Sequence, residues 1–120
     1  MPTYGRSWSG VAKPDLNATA TGAGPRGFCT GADGQMAYFE VEAVLEAKRF
    51  QKHWDERTGT PFAYSANMES LITYDDIRSI EMKTDYAMDQ KLAGAMFWAL
   101  DFDDFKNGYP LISAAAGRLR

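Results

Sequence analysis

The chain has 120 residues and a mass of 13.3 kDa, and 45% of its residues are hydrophobic, 24% charged and 13% aromatic. This composition excludes an intrinsically disordered chain, and the length limits the fold to about one domain. A net charge of -3 and a pI near 5.1 argue against a protein that binds nucleic acid through a basic surface. No apolar run approaches the ~18 residues of a membrane span, and residues 1–4 lack the basic and apolar regions of a signal peptide.

The first 35 residues predict a short strand followed by a long loop. Met1–Trp8 favours a strand, although Pro2 and Gly5 limit the ladder of hydrogen bonds that it can form. Ser9–Gly34 is rich in Gly, Ala, Thr and Pro, and its apolar residues follow a period of neither 2 nor 3.6. A loop of this length is uncommon in a compact domain unless it is functional or packs against another part of the protein.

The middle of the chain predicts one helix and one hairpin. Met36–Phe50 carries apolar residues at helical spacing, with Asp33 as the expected N-cap. Gln51–Thr60 is polar, and we expect it to form an irregular connection that ends in a turn. Phe62–Ala66 and Ser70–Tyr74 then predict two short strands joined as a hairpin.

The last third predicts a helix, a buried strand and a final helix. The second helix is expected to start at Asp75 and Asp76, because acidic side chains suit the positive end of the helix dipole, and to end at Gly94. Ala95–Leu100 is continuously apolar, which is typical of a strand buried on both faces. Leu111–Leu119 predicts the final short helix. The only neighbour available to the buried strand in this chain is the first strand.

The usual catalytic residue types are sparse. The only histidine, His53, lies among polar residues, which favours a surface role over a catalytic base. The only cysteine, Cys29, excludes an internal disulfide and lacks a neighbouring histidine that could activate it. Asp101–Asp104 lacks the spacing of a calcium loop, so we favour helix capping and salt bridging over metal binding. We therefore assign no metal and no cofactor. Asn17 begins a glycosylation triplet, which has meaning only in a secreted protein.

Tyr4, Arg6, Glu40 and Trp98 form a more informative set. A tryptophan at the carboxyl end of a buried strand, followed by acidic residues, is where barrel enzymes present side chains to their ligands. An indole face is a platform for the apolar face of a sugar ring, and the other three side chains supply directional hydrogen bonds to hydroxyl and acetamido groups. Composition alone nevertheless favours a core role for Trp98.

Several longer stretches contain these residues and extend the pattern along the chain. In chain order the stretches are Met1–Trp8, Met36–Val41, Pro61–Tyr64, Ile72–Asp76, Gly94–Phe105 and Tyr109–Ile112. Together they resemble the family 18 glycoside hydrolases, which are the chitinases and their catalytically inactive relatives. The resemblance covers essentially the whole chain.

The resemblance implies an α+β fold. A chitinase-insertion-like subdomain, made of a helix and antiparallel hairpin strands, is attached to the last strands and helices of an incomplete (β/α)8 barrel. Residues 1–10 would end barrel strand seven, and residues 11–74 would form the insertion subdomain. Residues 75–120 would supply the last barrel helix, strand eight and the terminal helix.

The resemblance also implies a substrate class, the polymers of β-1,4-linked N-acetylglucosamine, which include chitin and chito-oligosaccharides. In the family, the tryptophan that matches Trp98 forms the floor of the sugar subsite at the cleaved bond. Residues that match Tyr4 and Arg6 hydrogen-bond the substrate from the barrel rim, and one that matches Glu40 reaches the groove from the insertion. Secretion is expected from the family.

The family's catalytic motif, a short series of aspartates leading to a glutamate on the fourth barrel strand, has no counterpart in this chain. In the family's retaining, substrate-assisted mechanism, that glutamate protonates the leaving oxygen while the substrate's acetamido oxygen attacks the anomeric carbon. We therefore assign no catalytic residue and expect the isolated chain to be inactive. The missing N-terminal barrel portion would be its partner. The alternative is a stand-alone, lectin-like chitin-binding protein without enzymatic activity.

The chain also departs from the family at a cross-link. Some members, notably animal ones, carry one cysteine near the position of Glu42 and another in the loop after the eighth strand. Here Glu42 is acidic and the loop at Lys106–Gly108 is short, so both cysteines are absent together. This pattern indicates a lineage without the bridge.

Overall fold

The computed structural model describes residues 1–120, and its strands form a single six-stranded sheet. The strands are β1 (Tyr4–Ser9), β2 (Gly22–Ala23), β3 (Gln35–Ala37), β4 (Gln51–Asp55), β5 (Thr60–Ser65) and β6 (Ser70–Thr73). The helices are α1 (Tyr38–Glu46), α2 (Ile77–Asp89) and α3 (Pro110–Leu119), and two 3₁₀ turns lie at Leu100–Phe102 and Phe105–Asn107. None of the helices is long and apolar enough to cross a lipid bilayer.

The sheet is open, and its strands pair in an antiparallel manner in the order β2-β1-β6-β5-β4. The short strand β3 also pairs with β1. Since β6 occupies one edge of β1, both β2 and β3 lie along its other edge, at opposite ends of the strand. A mixed fold with three helices and an antiparallel sheet confirms the predicted α+β class.

The predicted hairpin is confirmed by β5 and β6, which pair from Phe62 opposite Thr73 to Ser65 opposite Ser70. The expectation for Gln51–Thr60 is wrong, because its first half is the edge strand β4, paired along its length with β5. An edge strand has one neighbour and one solvated side, so a polar sequence can form one. The long segment after β1 is mostly irregular, as predicted, except for the two residues of β2.

The main hydrophobic core joins all three helices to one face of the sheet. Ile72 at its centre is fully buried. The core consists of Met36, Tyr38, Val41, Phe50, Ala63, Ile72, Tyr74, Ile80, Leu111 and Ala115. A smaller cluster of Val11, Phe62 and Leu71 lies on the opposite face. Side chains alternate between the two faces of a strand, which explains why adjacent residues of β5 and β6 belong to different clusters.

Two predicted helix starts have different outcomes. Helix α2 begins as predicted, because the Asp76 carboxylate caps it and accepts a hydrogen bond from Ser79 N at 2.9 Å. Helix α1 begins at Tyr38, later than predicted, because Met36 belongs to β3. Its N-cap residue is Ala37, so the prediction that Asp33 caps it is wrong. The final helix is confirmed with one residue added at its start, Pro110.

The prediction of a strand buried on both faces at Ala95–Leu100 is wrong. This segment forms only one bridge, a parallel one between Trp98 and Pro2. Met96, Trp98 and Leu100 are 69%, 68% and 60% exposed. The segment has residues 1–3 as its only strand neighbour, so no sheet or helix covers its outer face.

We expect truncation of the central core residue to destabilise the fold strongly. Ile72→Ala should lower the free energy of unfolding by about 2–5 kcal/mol, because it removes apolar contacts and leaves a cavity. Ile77→Ala is the matched control, since that side chain is 44% exposed. Its truncation should lower the free energy of unfolding by less than about 1 kcal/mol. Urea denaturation followed by circular dichroism measures both. Similar losses for the two variants would contradict the described core.

Candidate functional site

Tyr4, Arg6 and Trp98 lie on the same face of the sheet. Gly5 is buried between Tyr4 and Arg6 in β1, so the two longer side chains project to the opposite face from the main core. Trp98 forms its bridge with Pro2, and bridged residues project to the same side. Because Pro2 precedes Tyr4 by two residues, the indole shares the face of the phenol and the guanidinium.

Backbone hydrogen bonds fix the position of Trp98. Its N–H donates to the Met1 carbonyl at 3.1 Å, and its carbonyl accepts from Thr3 N at 3.0 Å. The amino group of Met1 donates to the Met96 carbonyl at 2.6 Å. The indole itself remains 68% exposed, so a rigidly held backbone presents an accessible aromatic surface.

Tyr4 is held between two neighbours. The Phe102 ring meets it edge-on, with ring centroids 6.3 Å apart and an interplanar angle of 83°. The Arg6 guanidinium carbon lies 5.3 Å from the centre of the Tyr4 ring, within the range of a cation–π contact. No carboxylate forms an ion pair with Arg6. Its guanidinium donors therefore remain available to a polar ligand.

Only one end of this sheet face is open. Val11 belongs to the smaller cluster, Leu16 and Ala18 pack against that cluster, and together these residues cover the far end of the face. The Tyr64 hydroxyl donates to the Val11 carbonyl at 2.9 Å and anchors this cover. We call the uncovered part, made of Tyr4, Arg6 and Trp98, the open face.

Glu40 occupies a different environment from these three residues. It is fully buried, and its carboxylate accepts hydrogen bonds from Cys29 N at 2.5 Å, Thr30 N at 2.8 Å and Ala37 N at 2.7 Å. The Thr30 hydroxyl donates to it as well, at 2.8 Å. In this chain the carboxylate is therefore enclosed by donors and points away from the open face. Glu40 instead ties a loop to the start of α1.

These hydrogen bonds decide the ionisation of Glu40. Burial alone would raise the pKa of the carboxyl group, but the backbone N–H groups of Thr30, Ala37 and Cys29 stabilise its charged form. The net result is a pKa below its usual value. Glu40 is also the third residue of α1, where a negative charge is favoured by the helix dipole.

A cleft beside the open face was not foreseen from the sequence. Four aromatic rings line it, those of Phe28, Phe39, Phe102 and Phe105, and its volume is about 840 Å3. We call it the aromatic cleft. It adjoins the open face because Phe102 lines the cleft and also contacts Tyr4. The available signal was that Phe28 lies in a glycine-rich loop and that Phe105 lies in a loop of mostly charged and polar residues.

The other residues considered for catalysis or metal binding are His53, Cys29 and the aspartates of Asp101–Asp104. His53 stacks on Phe62, with ring centroids 5.0 Å apart and an interplanar angle of 12°. The buried Asp103 carboxylate accepts from Ile112 N at 3.0 Å, and Asp104 caps the second 3₁₀ turn, so the predicted capping role is confirmed for both. The predicted salt bridging is wrong, because no aspartate of Asp101–Asp104 forms an ion pair. Cys29 is a free, exposed thiol. No group of three or more His, Cys, Asp or Glu side chains is placed to hold a metal ion.

We expect Glu40→Gln to destabilise the chain by about 2–3 kcal/mol, because an amide nitrogen cannot accept the hydrogen bonds that one carboxylate oxygen receives. Glu46→Gln, on the same helix, is the control, since that side chain is exposed and forms no hydrogen bond or ion pair. Urea denaturation at neutral pH measures the difference between each variant and the parent chain.

The destabilisation caused by Glu40→Gln should decrease at acidic pH. The pKa of Glu40 is lower in the folded chain than in the unfolded one, so its stabilisation is complete above the unfolded pKa of about 4.5. It is lost as the pH falls through the folded value. The difference in the free energy of unfolding between the parent chain and Glu40→Gln should therefore be constant at pH 6–7 and decrease below about pH 4. A difference that persists undiminished in acid would rule out the carboxylate as its source.

Known proteins resemble this chain in sequence. The model of the family "Glycosyl hydrolases family 18" matches residues 1–103. Mouse chitotriosidase-1 is 38% identical over 120 residues, which cover 93% of this chain and 24% of the relative. Human chitinase-3-like protein 2 is 33% identical over 121 residues, which cover 95% of this chain and 30% of the relative. The chain thus spans less than a third of the length of these curated relatives.

Solved structures match the fold over the whole chain. Human YKL-39, described as a pseudo-chitinase with retained chitooligosaccharide binding properties, superposes with a TM-score of 0.88 at 32% identity. Catalytic domain 2 of the Ostrinia furnacalis Group II chitinase superposes with a TM-score of 0.90 at 30% identity. Each alignment covers 99% of this chain and about a third of the other chain. The sequence match and the shared fold lead to one conclusion: this chain belongs to glycosyl hydrolase family 18.

Proposed function

We propose that this chain forms the substrate-contacting C-terminal part of a chitinase-like glycoside hydrolase and that its ligand is a β-1,4-linked N-acetylglucosamine chain. The observation that carries the proposal is the open face, where Tyr4, Arg6 and Trp98 project to one side. The indole offers a flat apolar surface to a sugar ring. The phenol and the guanidinium offer hydrogen bonds to its hydroxyl and acetamido groups.

In this proposal Glu40 positions a loop and does not touch sugar. Its carboxylate has four donors within the protein and no exposed surface. A ligand hydroxyl would have to displace one of these charge-assisted hydrogen bonds to reach it. The sugar-contacting set therefore contains Tyr4, Arg6 and Trp98, and Glu40 supports the wall beside them.

The proposed reaction of the complete protein is retaining, substrate-assisted hydrolysis, and the proton donor lies outside residues 1–120. Residues 1–10 would end barrel strand seven, residues 11–74 would form the insertion subdomain, and residues 75–120 would complete the barrel. This division is supported by the exposed apolar segment at Met96–Leu100, whose outer face has no partner here. The missing N-terminal barrel portion would be the partner that packs against Met96 and leaves the Trp98 indole at the mouth of the substrate cleft, and the complete protein would be secreted.

The second candidate is a lectin-like protein that binds chitin without cleaving it. Human YKL-39, a pseudo-chitinase with retained chitooligosaccharide binding properties, is a precedent for binding without turnover in this family. The open face is compatible with this function, because all three of its residues lie within this chain. The two candidates share the binding step and differ in whether an acid-bearing barrel completes the cleft.

We expect the isolated chain to bind a tetramer of N-acetylglucosamine saturably, and Trp98→Ala to weaken this binding about tenfold or more by removing the aromatic platform. Trp8→Ala is the matched control, since this tryptophan is 43% exposed and projects to the same sheet face, but at the end that Val11, Leu16 and Ala18 cover. Isothermal titration calorimetry measures both, and circular dichroism verifies the fold of each variant.

Hydrolysis of a fluorogenic chitobioside tests the other half of the proposal. We expect no turnover by the isolated chain, because no group in it is assigned as the proton donor. Turnover that co-purifies with the chain and disappears in Trp98→Ala would overturn that assignment. Equal loss of tetramer binding in Trp8→Ala and Trp98→Ala would overturn the assignment of the open face.

A further inference from the structure

We propose that the aromatic cleft binds a cationic amino-sugar unit, a protonated, deacetylated glucosamine residue of the same polymer. The inference rests on the proposed function in one respect: it takes the ligand of the open face to be a β-1,4-linked glucosamine-type chain. It adds a second subsite and a preference for partly deacetylated polymer. The support comes from the rings, the charges and the position of the cleft.

The rings of the cleft form a chain of edge contacts. Phe28 and Phe39 have centroids 6.1 Å apart at 73°, and Phe39 and Phe105 have centroids 5.6 Å apart at 68°. Phe28 is 74% exposed and Phe105 is 48% exposed. In these steep arrangements each ring touches its neighbour near an edge, and aromatic surface stays accessible. Such surface can pack against a sugar ring and attract a nearby cation.

The charges that line the cleft are strongly unbalanced. Four carboxylates belong to its lining, those of Glu42, Glu46, Asp101 and Asp104, against a single ammonium group, that of Lys106. The formal excess of three negative charges equals the net charge of the whole chain. None of these five groups takes part in an ion pair. Asp104 already accepts hydrogen bonds from the backbone and side chain of Asn107, whereas Asp101 and Glu46 accept none, so these last two carboxylates are available to a cation from outside.

This combination selects one chemical class. An anionic ligand would be repelled by the carboxylates, and a neutral acetylated sugar could donate hydrogen bonds to them but would lack the charge attraction that a cation gains. A protonated amine is attracted both to the carboxylates and to the aromatic rings, and the sugar ring that carries the amine supplies an apolar face. The volume of about 840 Å3 lies within the range of small-ligand sites, so a sugar unit fits with room for a linked neighbour.

The position of the cleft connects it to the open face. Phe102 meets Tyr4 edge-on and also lines the cleft. Asp101 lies three residues after Trp98 and contributes to the cleft as well. A polymer that contacts Trp98 and Tyr4 with an acetylated unit can therefore extend past Phe102 and place a deacetylated unit among the carboxylates.

The test compares two tetramers by isothermal titration calorimetry at pH 6 and low salt, the β-1,4-linked glucosamine tetramer and its fully N-acetylated counterpart. The double variant Asp101→Asn/Glu46→Gln removes two cleft charges that form no hydrogen bond. We expect it to weaken binding of the glucosamine tetramer about tenfold and to change binding of the acetylated tetramer less than about twofold. Added salt should weaken only the first interaction.

Matched controls separate the cleft from the overall charge. Glu56→Gln/Asp89→Asn removes two exposed charges elsewhere and should leave binding of the glucosamine tetramer within about twofold of the parent value. Phe28→Ala should weaken that binding by about the same factor as the cleft charge variant. Leu92→Ala, at a side chain that is 58% exposed outside the cleft, should not.

The outcomes also separate this inference from the proposed function. The cleft site is overturned if the chain does not bind the glucosamine tetramer. It is also overturned if the cleft charge variant and the control charge variant weaken that binding equally. A third outcome is that the chain binds the glucosamine tetramer through the cleft residues but does not bind the acetylated tetramer. This outcome supports the cleft site and overturns the proposed role of the open face.

Discussion

The buried carboxylate of Glu40 is the interaction on which the arrangement around the site depends. Removing a charge from water costs several kcal/mol, and the cost is offset only when donors surround the charge. Here donors come from the loop at Cys29–Thr30 and from the start of α1 at Ala37. Gly27 permits the approach, because a Cβ there would collide with the carboxylate. The loop held in this way carries Phe28, so a buried charge shapes an exposed cleft wall.

The pleat of β1 sets the other half of the site. Its inward residues Gly5 and Ser7 are small and buried, and a Cβ at Gly5 would lie 2.8 Å from the Thr73 carbonyl oxygen. The strand therefore packs closely against β6, and its longer side chains must project outward. A slip of one residue would exchange the two faces, removing Tyr4 and Arg6 from the surface. The small residues that face the core thus determine which side chains reach the ligand side.

The sequence predicted elements well where local signals and tertiary packing agree. The hairpin and the start of α2 follow from alternation and from the Asp76 cap, both of which are local. The start of α1 and the strand β4 could not be predicted in this way. Met36 pairs with β1 across 31 positions, and β4 exists because β5 offers it an edge. Both depend on partners that no local pattern reveals.

The candidate site was predictable in its membership and less so in its geometry. Tyr4, Arg6 and Trp98 were identified from motif resemblance, and their common face supports treating them as a set. Glu40 was placed in the same set because a carboxylate in that motif suits a sugar hydroxyl. The sequence carries no sign that backbone N–H groups from a distant loop would enclose it. Whether a carboxylate is a ligand group or an anchor depends on which donors surround it, and that depends on the folded loop.

Trp98 shows why hydrophobicity alone cannot assign a role to a residue. A continuous apolar run fits a buried strand, and it equally fits a segment that has one covered side and one ligand side. Phe97 packs against the main core while Trp98 stays exposed, so neighbouring residues of the same run have opposite surroundings. Two backbone hydrogen bonds, to Met1 and from Thr3, decide between them by fixing which residue pairs with Pro2. The exposure of the Trp98 indole therefore depends on the register of this pairing. Only in this register can the indole serve as the proposed platform for a sugar ring.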